Sequence, residues 1–424
     1  MSRVSTWLAI LLLALPLAAR ADILNFRGGL GTVVQKDLDS NDSTRYSTVL
    51  LSTSYRTPTM DLALEFPLRW DFETGDFQKD VWERKGDLLR PVKLFRYHSA
   101  SGGISGGLEV FSDWTPGMGY LVRDLSGMAE IDYMLPGVRF RWSDQKMDLD
   151  AGMDRPVDPA VQAVALTYRA FKGITLALEW AVDPQAPVVF TGDSSRGRPE
   201  SDESERLSAG AAGLNFGIVE GDMLDLGFGV HIADINGDAK GTGGELTATL
   251  DFSNRYLNRL QLLVRSVNCE GGYVPAWFDA IYPLHRWGLD GPPFLALNPL
   301  GSTVPDRTML SYAIGYDLGD SFSISGGYDM FKDDSMRRAR FEASLKEENG
   351  RGLELSIWSR ADDPDVKMFS LESNFNSRVS ALYNILPHLL LNISYDHSWI
   401  FREEEAAFRP LKSFLLGVVY DISL

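Results

Sequence analysis

The residues with the widest chemical range in this chain are its five histidines, His98, His231, His285, His388 and His397. None belongs to an HExxH motif or to a close pair, so no zinc site follows from them. A lipid-cleaving hydrolase would need a serine beside a histidine base. His98-Ser99 and His397-Ser398 are adjacent in sequence, but neighbours on a strand point to opposite faces and cannot share a proton. Asp234, Asn236, Asp238 and Glu245 fall at positions 1, 3, 5 and 12 of a calcium-loop pattern, yet position 6 is Ala239 where the turn wants glycine. The flanks are strand-like, which makes this a solvated hairpin. Gly28-Gly29-Leu30-Gly31 and the run 102–107 (Gly-Gly-Ile-Ser-Gly-Gly) are glycine-rich. No helix follows either run, so they suit close strand packing better than phosphate binding. No catalytic, cofactor-binding or metal-ligating residue is assigned, and the expectation is a protein that is not an enzyme.

Charge and composition narrow the class. The 424 residues carry 41 Lys plus Arg against 58 Asp plus Glu, a net charge of −17. Such a chain lacks the basic surplus that nucleic acid demands. A single cysteine, Cys269, excludes a disulfide scaffold and any CxxC site. The acids cluster at Asp37, Asp39 and Asp42; at Asp193, Glu200, Asp202, Glu203 and Glu205; at Asp362, Asp363 and Asp365; and at Glu403, Glu404 and Glu405. A charge run is a solvated face in the first instance. At a membrane surface such clusters are also expected to bridge anionic headgroups through divalent cations.

The first 21 residues read as an export signal. Arg3 precedes an apolar run over 7–19, and Ala19-Arg20-Ala21 forms an A-x-A cleavage site before Asp22. The run is short for a membrane span, and no later stretch reaches 18 apolar residues. Cleavage removes Arg3 and Arg20, so the mature chain 22–424, read as a single domain, is more acidic, at −19.

The mature chain repeats one pattern, apolar residues at every second position. In 60–70 the even positions are Met, Leu, Leu, Phe, Leu and Trp, with Asp61, Glu65 and Arg69 between them. The same alternation runs through 174–182, 246–252, 353–358 and 389–396. Each segment therefore has an apolar face and a more polar one. Aromatics end several apolar rows, at Trp70, Trp142, Trp180 and Phe252, where a membrane barrel places its interfacial girdle. No comparably clear helical period occurs.

The connections alternate as well. Tight turns are expected at 57–59, 172–173, 220–222, 318–320, 348–350 and 386–388. Longer polar connections lie between them, at 35–43, 73–85, 183–205, 332–336, 361–366 and 402–409. Short turns at one rim and long loops at the other predict an all-β, transmembrane, antiparallel up-and-down barrel. The count is about 16 to 20 strands, with periplasmic turns and extracellular loops.

The chain ends on SFLLGVVYDISL, with Phe414, Leu416, Val418, Tyr420, Ile422 and Leu424 on one face. This resembles the terminal strand by which Gram-negative outer-membrane β-barrels are recognised for assembly. In that family the last residue is usually aromatic, and Leu424 departs from it. The resemblance implies an outer-membrane location, outer-membrane lipid around the wall and the barrel assembly machinery as a partner. Gly117-Met118-Gly119-Tyr120 and the aromatic stretch 273–287 resemble features of uncharacterised bacterial barrels and imply no activity.

Three functions fit. The leading one is a porin-like channel for small solutes, with long loops such as 271–306 folding inward to narrow it. The second is a non-transporting surface barrel, an adhesin or structural anchor. The third is a soluble exported β protein that binds glycans through its aromatics. If the pore is open, lumen-side acids such as Asp61, Glu65, Glu179 and Asp251 predict a weak cation preference.

Overall fold

The computed structural model describes residues 23–423. The exceptions are 38–42, 79–81, 83–86, 112, 127–134, 190–193, 196–197, 200–202, 253–257, 280–281, 288–299, 301–303, 320, 347–351, 362–364, 366, 370–373, 387 and 403–406. The segment 1–21 expected to be an export signal, Leu424 and the acids Asp39, Asp42, Asp193, Glu200, Asp202, Asp362, Asp363 and Glu403 to Glu405 lie outside the described residues.

In chain order the strands are β1 (Ile23–Asp37), β2 (Ser43–Arg56), β3 (Met60–Asp71), β4 (Val92–His98), β5 (Ile104–Glu109), β6 (Gly137–Ser143), β7 (Met147–Met153), β8 (Gln162–Phe171), β9 (Ile174–Val189), and a two-residue ribbon, β10 (Ser194–Ser195) and β11 (Arg198–Pro199). Then follow β12 (Glu203–Glu220), β13 (Leu224–Ile235), β14 (Ala239–Phe252), β15 (Asn258–Glu270), β16 (Arg307–Leu318), β17 (Phe322–Phe331), β18 (Arg337–Lys346), β19 (Gly352–Ala361), β20 (Asn374–Leu386), β21 (Leu389–Arg402) and β22 (Ala407–Ser423).

Twenty of these form one sheet, each paired antiparallel to its neighbour in sequence. The sheet closes because β1 also pairs with β22, from Asn25↔Ser423 to Asp37↔Leu411. Closure satisfies every edge, which is the condition for a sheet surrounded by hydrocarbon. The strand count is the upper end of the expected range, because β4 and β5 are short strands with weak alternation.

The two rims differ as expected. On the rim that carries both chain ends, the connections span two to five residues, such as 57–59, 144–146, 172–173 and 387–388. These turns are built locally. Gly173 adopts a φ of 75° in a two-residue link, a conformation that favours glycine. The Asp144 carboxylate accepts the N–H groups of Lys146 and Met147, both at 2.7 Å, and these bonds hold its pKa below the usual carboxylate range. All six turns expected from sequence fall on this rim, and all six longer connections fall on the other. The longest links, 72–91, 110–136 and 271–306, are also on the second rim.

Pairing carries the two faces around the barrel. Leu30, Leu51, Val418 and Tyr420 share the outer face, joined through Leu30↔Val49, Leu30↔Val418, Gly28↔Leu51 and Gly28↔Tyr420. They are exposed apolar side chains, Leu30 at 69 %. Leu62, Leu64, Phe66 and Leu68 follow the same parity through Phe66↔Leu51. Leu64 and Phe66 are nevertheless only 4 % and 8 % exposed, because they pack with Val92 in a small apolar cluster that Leu62 and Leu108 flank. Neither is open to surrounding lipid. Of the aromatics expected at row ends, Trp70, Trp142 and Phe252 lie near strand termini. Trp180 does not, because β9 continues to Val189.

The inner face carries cross-strand ion pairs. Arg96 and Arg139 both meet Glu109, and Arg139 also meets Asp150. Arg27 pairs with Asp421 at 2.9 Å across the closing seam.

Candidate functional site

The site is built where two loops enter the barrel. The first, in the β5–β6 connection, folds back on itself through reciprocal N–H···O=C bonds of 3.0 Å between Trp114 and Leu125. The second, 271–287 of the β15–β16 connection, lies alongside it. The Ala276 N–H donates to the Tyr120 carbonyl at 2.9 Å, and the Phe278 N–H donates to the Leu121 carbonyl at 3.1 Å. The Arg123 N–H returns a bond to the Phe278 carbonyl at 3.1 Å. Together they make a short parallel ribbon inside the barrel, with Val122 opposite Phe278. The expected inward fold of 271–306 is present in its described part. The first loop does the same, which sequence reasoning missed.

Apolar burial holds the loops in place. Trp114, Leu121, Leu125, Tyr273, Trp277 and Phe278 are buried against inward residues of the wall, among them Ala163, Ala181, Ile235, Val267 and Met309. Fully burying such side chains contributes about 1.5–3 kcal/mol each. Glycines in the wall make room. A Cβ on Gly213 would sit 2.6 Å from the Tyr120 ring, and one on Gly241 would strike Tyr273.

Polar latches fix the register. The Glu179 carboxylate, on the inner face of β9, accepts the N–H groups of Met118, Tyr120 and Leu121 at 2.6, 2.9 and 3.1 Å. Gly117 and Gly119, at φ 66° and 67°, turn these amides toward it. From β15, Arg265 donates to the carbonyls of Gly119 and Met118 at 3.2 and 3.1 Å, and to Glu245 at 2.8 Å. Tyr120 stacks on His231 with centroids 4.3 Å apart, and the Arg265 guanidinium lies over its ring at 5.1 Å. Arg338 of β18 donates to the carbonyls of Ala276 and Pro275 at 3.0 and 2.7 Å and pairs with Asp279 and Asp329. Tyr282 donates to Asp183 at 2.8 Å. Burial pushes the Tyr120 and Tyr273 phenols upward, so both stay neutral. Tyr273 donates to the Tyr120 carbonyl at 3.4 Å, and the Tyr120 hydroxyl accepts from Asn215.

Beside the ribbon a cavity of about 190 Å³ remains. Its charged lining is Arg123, Arg265, Arg338 and Arg340 against Asp124, Asp279 and Asp329, with Trp358 at one side. Burial pushes the Arg123 pKa down to about 10 although Asp329 opposes the shift, so it remains a cation at neutral pH. Arg340 pairs with Asp124. Fixed charges of both signs around a confined volume can orient a small polar solute.

The residues weighed from sequence fall as follows. His98 meets Asp61 at 3.1 Å on the inner wall, His231 anchors Tyr120, and His397 is buried beside Phe375. His397 and Ser398 are successive residues of β21 and lie on opposite faces, and Ser99 sits in the turn after β4, where its hydroxyl accepts the Ile104 N–H at 3.0 Å. The calcium-like segment is a three-residue hairpin, 236–238, in which Asp234 accepts the Gly237 N–H at 2.7 Å. Its Glu245 is far along β14, bound to Arg265. Glu179, singled out only as a lumen acid, is the main latch of the first loop. The signal that marked the loop was the glycine pair at 117 and 119. The acids Asp61, Glu65 and Asp251 face inward, but each meets a base, Arg56, Lys93 and Arg259 respectively.

No protein-family profile and no curated protein matches the chain. Among solved structures, it is similar to that of Pseudomonas aeruginosa OpdQ at 12% identity, with 95% of this chain and 99% of that chain covered and a TM-score of 0.37. The outer membrane protein OprD of Pseudomonas aeruginosa gives 11% identity, 95% and 94% coverage and 0.35. Pseudomonas aeruginosa OccK2 (OpdF), in complex with glucuronate, gives 8%, 96% and 99%, and 0.36. Scores this low transfer neither a site nor a substrate to this chain. The barrel stands on its own strand pairing.

Proposed function

We propose that the protein is an integral outer-membrane barrel through which small polar solutes pass, by way of the narrow, charge-lined space beside the two inward loops. The carrying observation is that cavity, bounded by Arg123, Arg265, Arg338 and Arg340 and by Asp124, Asp279 and Asp329, inside a closed barrel whose outer face is apolar. An apolar exterior and an ion-paired interior reverse the arrangement of a soluble protein and match a wall between hydrocarbon and water. The short-turn rim is then periplasmic and the long-loop rim extracellular. The barrel assembly machinery acts on the terminal strand, and the acids of the long loops are available to divalent cations at the surface.

Liposome swelling tests the reading. Proteoliposomes should admit small polar solutes and exclude solutes much larger than the cavity. Equal impermeability to all of them would favour the non-transporting surface barrel. Recovery of the protein in a soluble periplasmic extract would remove both membrane readings.

A further inference from the structure

The outer face of the closing seam carries an imbalance that neither barrel closure nor solute passage explains. At the long-loop rim, Lys36 of β1 stands directly opposite Lys412 of β22. Arg45 of β2 shares this face two positions away, opposite Val34. Like charges directly opposite on adjacent strands destabilise a sheet. Lys36 and Arg45 are exposed and Lys412 is half-buried. Among the described residues none of the three forms an ion pair, whereas the inner wall pairs its arginines from strand to strand. His397, opposite Lys412 on the next strand, is 2 % exposed, and neither of its ring nitrogens has a hydrogen-bond partner. Below the bases the same face continues as Val34, Phe414 and Leu416, with Trp70 and Phe72 on the neighbouring strand's end. Bases thus sit just above an aromatic and aliphatic belt, the height at which a lipid carries its phosphate.

We propose that Lys36, Lys412 and Arg45 bind the phosphate of an outer-leaflet lipid whose acyl chains lie on the apolar rows beneath. A phosphate group offers acceptors to all three side chains at once and relieves their mutual repulsion. The apolar rows explain why the ligand is a lipid and not a free phosphate. This inference rests on the outer-membrane reading, but a barrel without the site would still insert and conduct.

The test uses the purified full-length barrel in detergent, with diphosphoryl lipid A as the probe, compared with its dephosphorylated form and with inorganic phosphate. Bound lipid is counted by native mass spectrometry. The phosphorylated lipid should remain bound, and the other two should not. The triple variant K36A/R45A/K412A should lose roughly a hundredfold in affinity while keeping its heat-modifiable folded band, and K36R/K412R should retain binding. Should the triple variant fail to fold, the wild-type protein still decides the matter. Diphosphoryl lipid A should protect Lys36 and Lys412 from acetylation, and the dephosphorylated lipid should not. Equal retention of the dephosphorylated lipid, equal binding of inorganic phosphate, or acetylation unaffected by lipid would overturn the proposal. Conductance measured on the same preparation separates failure of this site from failure of the membrane reading.

Discussion

The wall from β8 to β18 and the seam from β21 through β1 to β3 are built on the same alternation, yet they enclose different things. In the seam the inner row is mixed: Gly29, Gly31 and Gly417 with Arg27 and Asp421 alternate with buried Val33, Leu390, Leu411 and Val419, none of which belongs to the apolar cluster that buries the two loops. Toward the long-loop rim, the inner positions of the other wall are apolar, among them Ala181, Ala209, Ile235, Val267 and Phe331, and they bury two loops. Among the described residues, the core that buries the two loops thus lies on one side of the barrel, and the seam rests on backbone pairing, its outer apolar rows and this mixed inner row. The stability of the seam therefore comes from closure, and the shape of the lumen comes from the opposite wall.

The largest effect should follow from cutting the seam. Deleting 414–424 removes most of the β1–β22 pairing and leaves two edges unpaired, each lost group costing several kcal/mol in hydrocarbon. No heat-modifiable folded band should remain on a gel. By the same logic Tyr420→Asp should weaken assembly, and Leu424→Phe should leave it unchanged or improve it.

A charge on the outer face comes next. Leu51→Arg should destabilise the barrel by roughly 2–4 kcal/mol, whereas Glu65→Arg, on the inner wall, should cost less than about 1 kcal/mol. Urea titration of the reconstituted protein reads both. Leu64 is the poorer probe, since protein already covers it. Equal costs for the two would mean that the faces are wrongly assigned.

Crowding the loop-bearing wall should be gentler on folding and stronger on the lumen. Gly213→Leu drives a side chain into the Tyr120 ring, an overpacking cost of about 1–3 kcal/mol, and should shift the ribbon and change conductance. Gly28→Leu, on the outer seam with nothing within 4 Å of its Cβ position, should change neither. Differential scanning calorimetry and conductance on both variants would show whether the two regions differ in this way.

The smallest expected effect is on ion selectivity. The sequence alone suggested a weak cation preference from inward acids. In the structure those acids are paired, and the cavity holds four arginines against three aspartates. A reversal potential near zero, leaning to anions, is now expected in a salt gradient; a strong cation preference would mean that the ions follow another route.

Sequence reading found the strands through their outer faces, because a row such as Leu62 to Leu68 must be apolar along its whole length. It placed the turns by chemistry, as at Lys172-Gly173. It did not find the loop at 113–126, because the signal is split. Glu179 lies in one strand, Arg265 in another, and the small residues Gly213 and Gly241 that admit the loop look like ordinary strand glycines. Nor did it find the apolar inner patch, because Ala181 and Ala209 read as neutral members of a polar row. Packing between segments far apart in the chain leaves no period in either of them.

Single-channel conductance in planar bilayers tests the central claim most directly, comparing the wild-type protein with a variant in which 113–126 is replaced by a short Gly-Ser linker. The wild-type barrel should give small, discrete steps, and the variant should give steps several-fold larger, since the ribbon that narrows the lumen is gone. Absence of steps from both proteins, with both folded and inserted, would contradict the account.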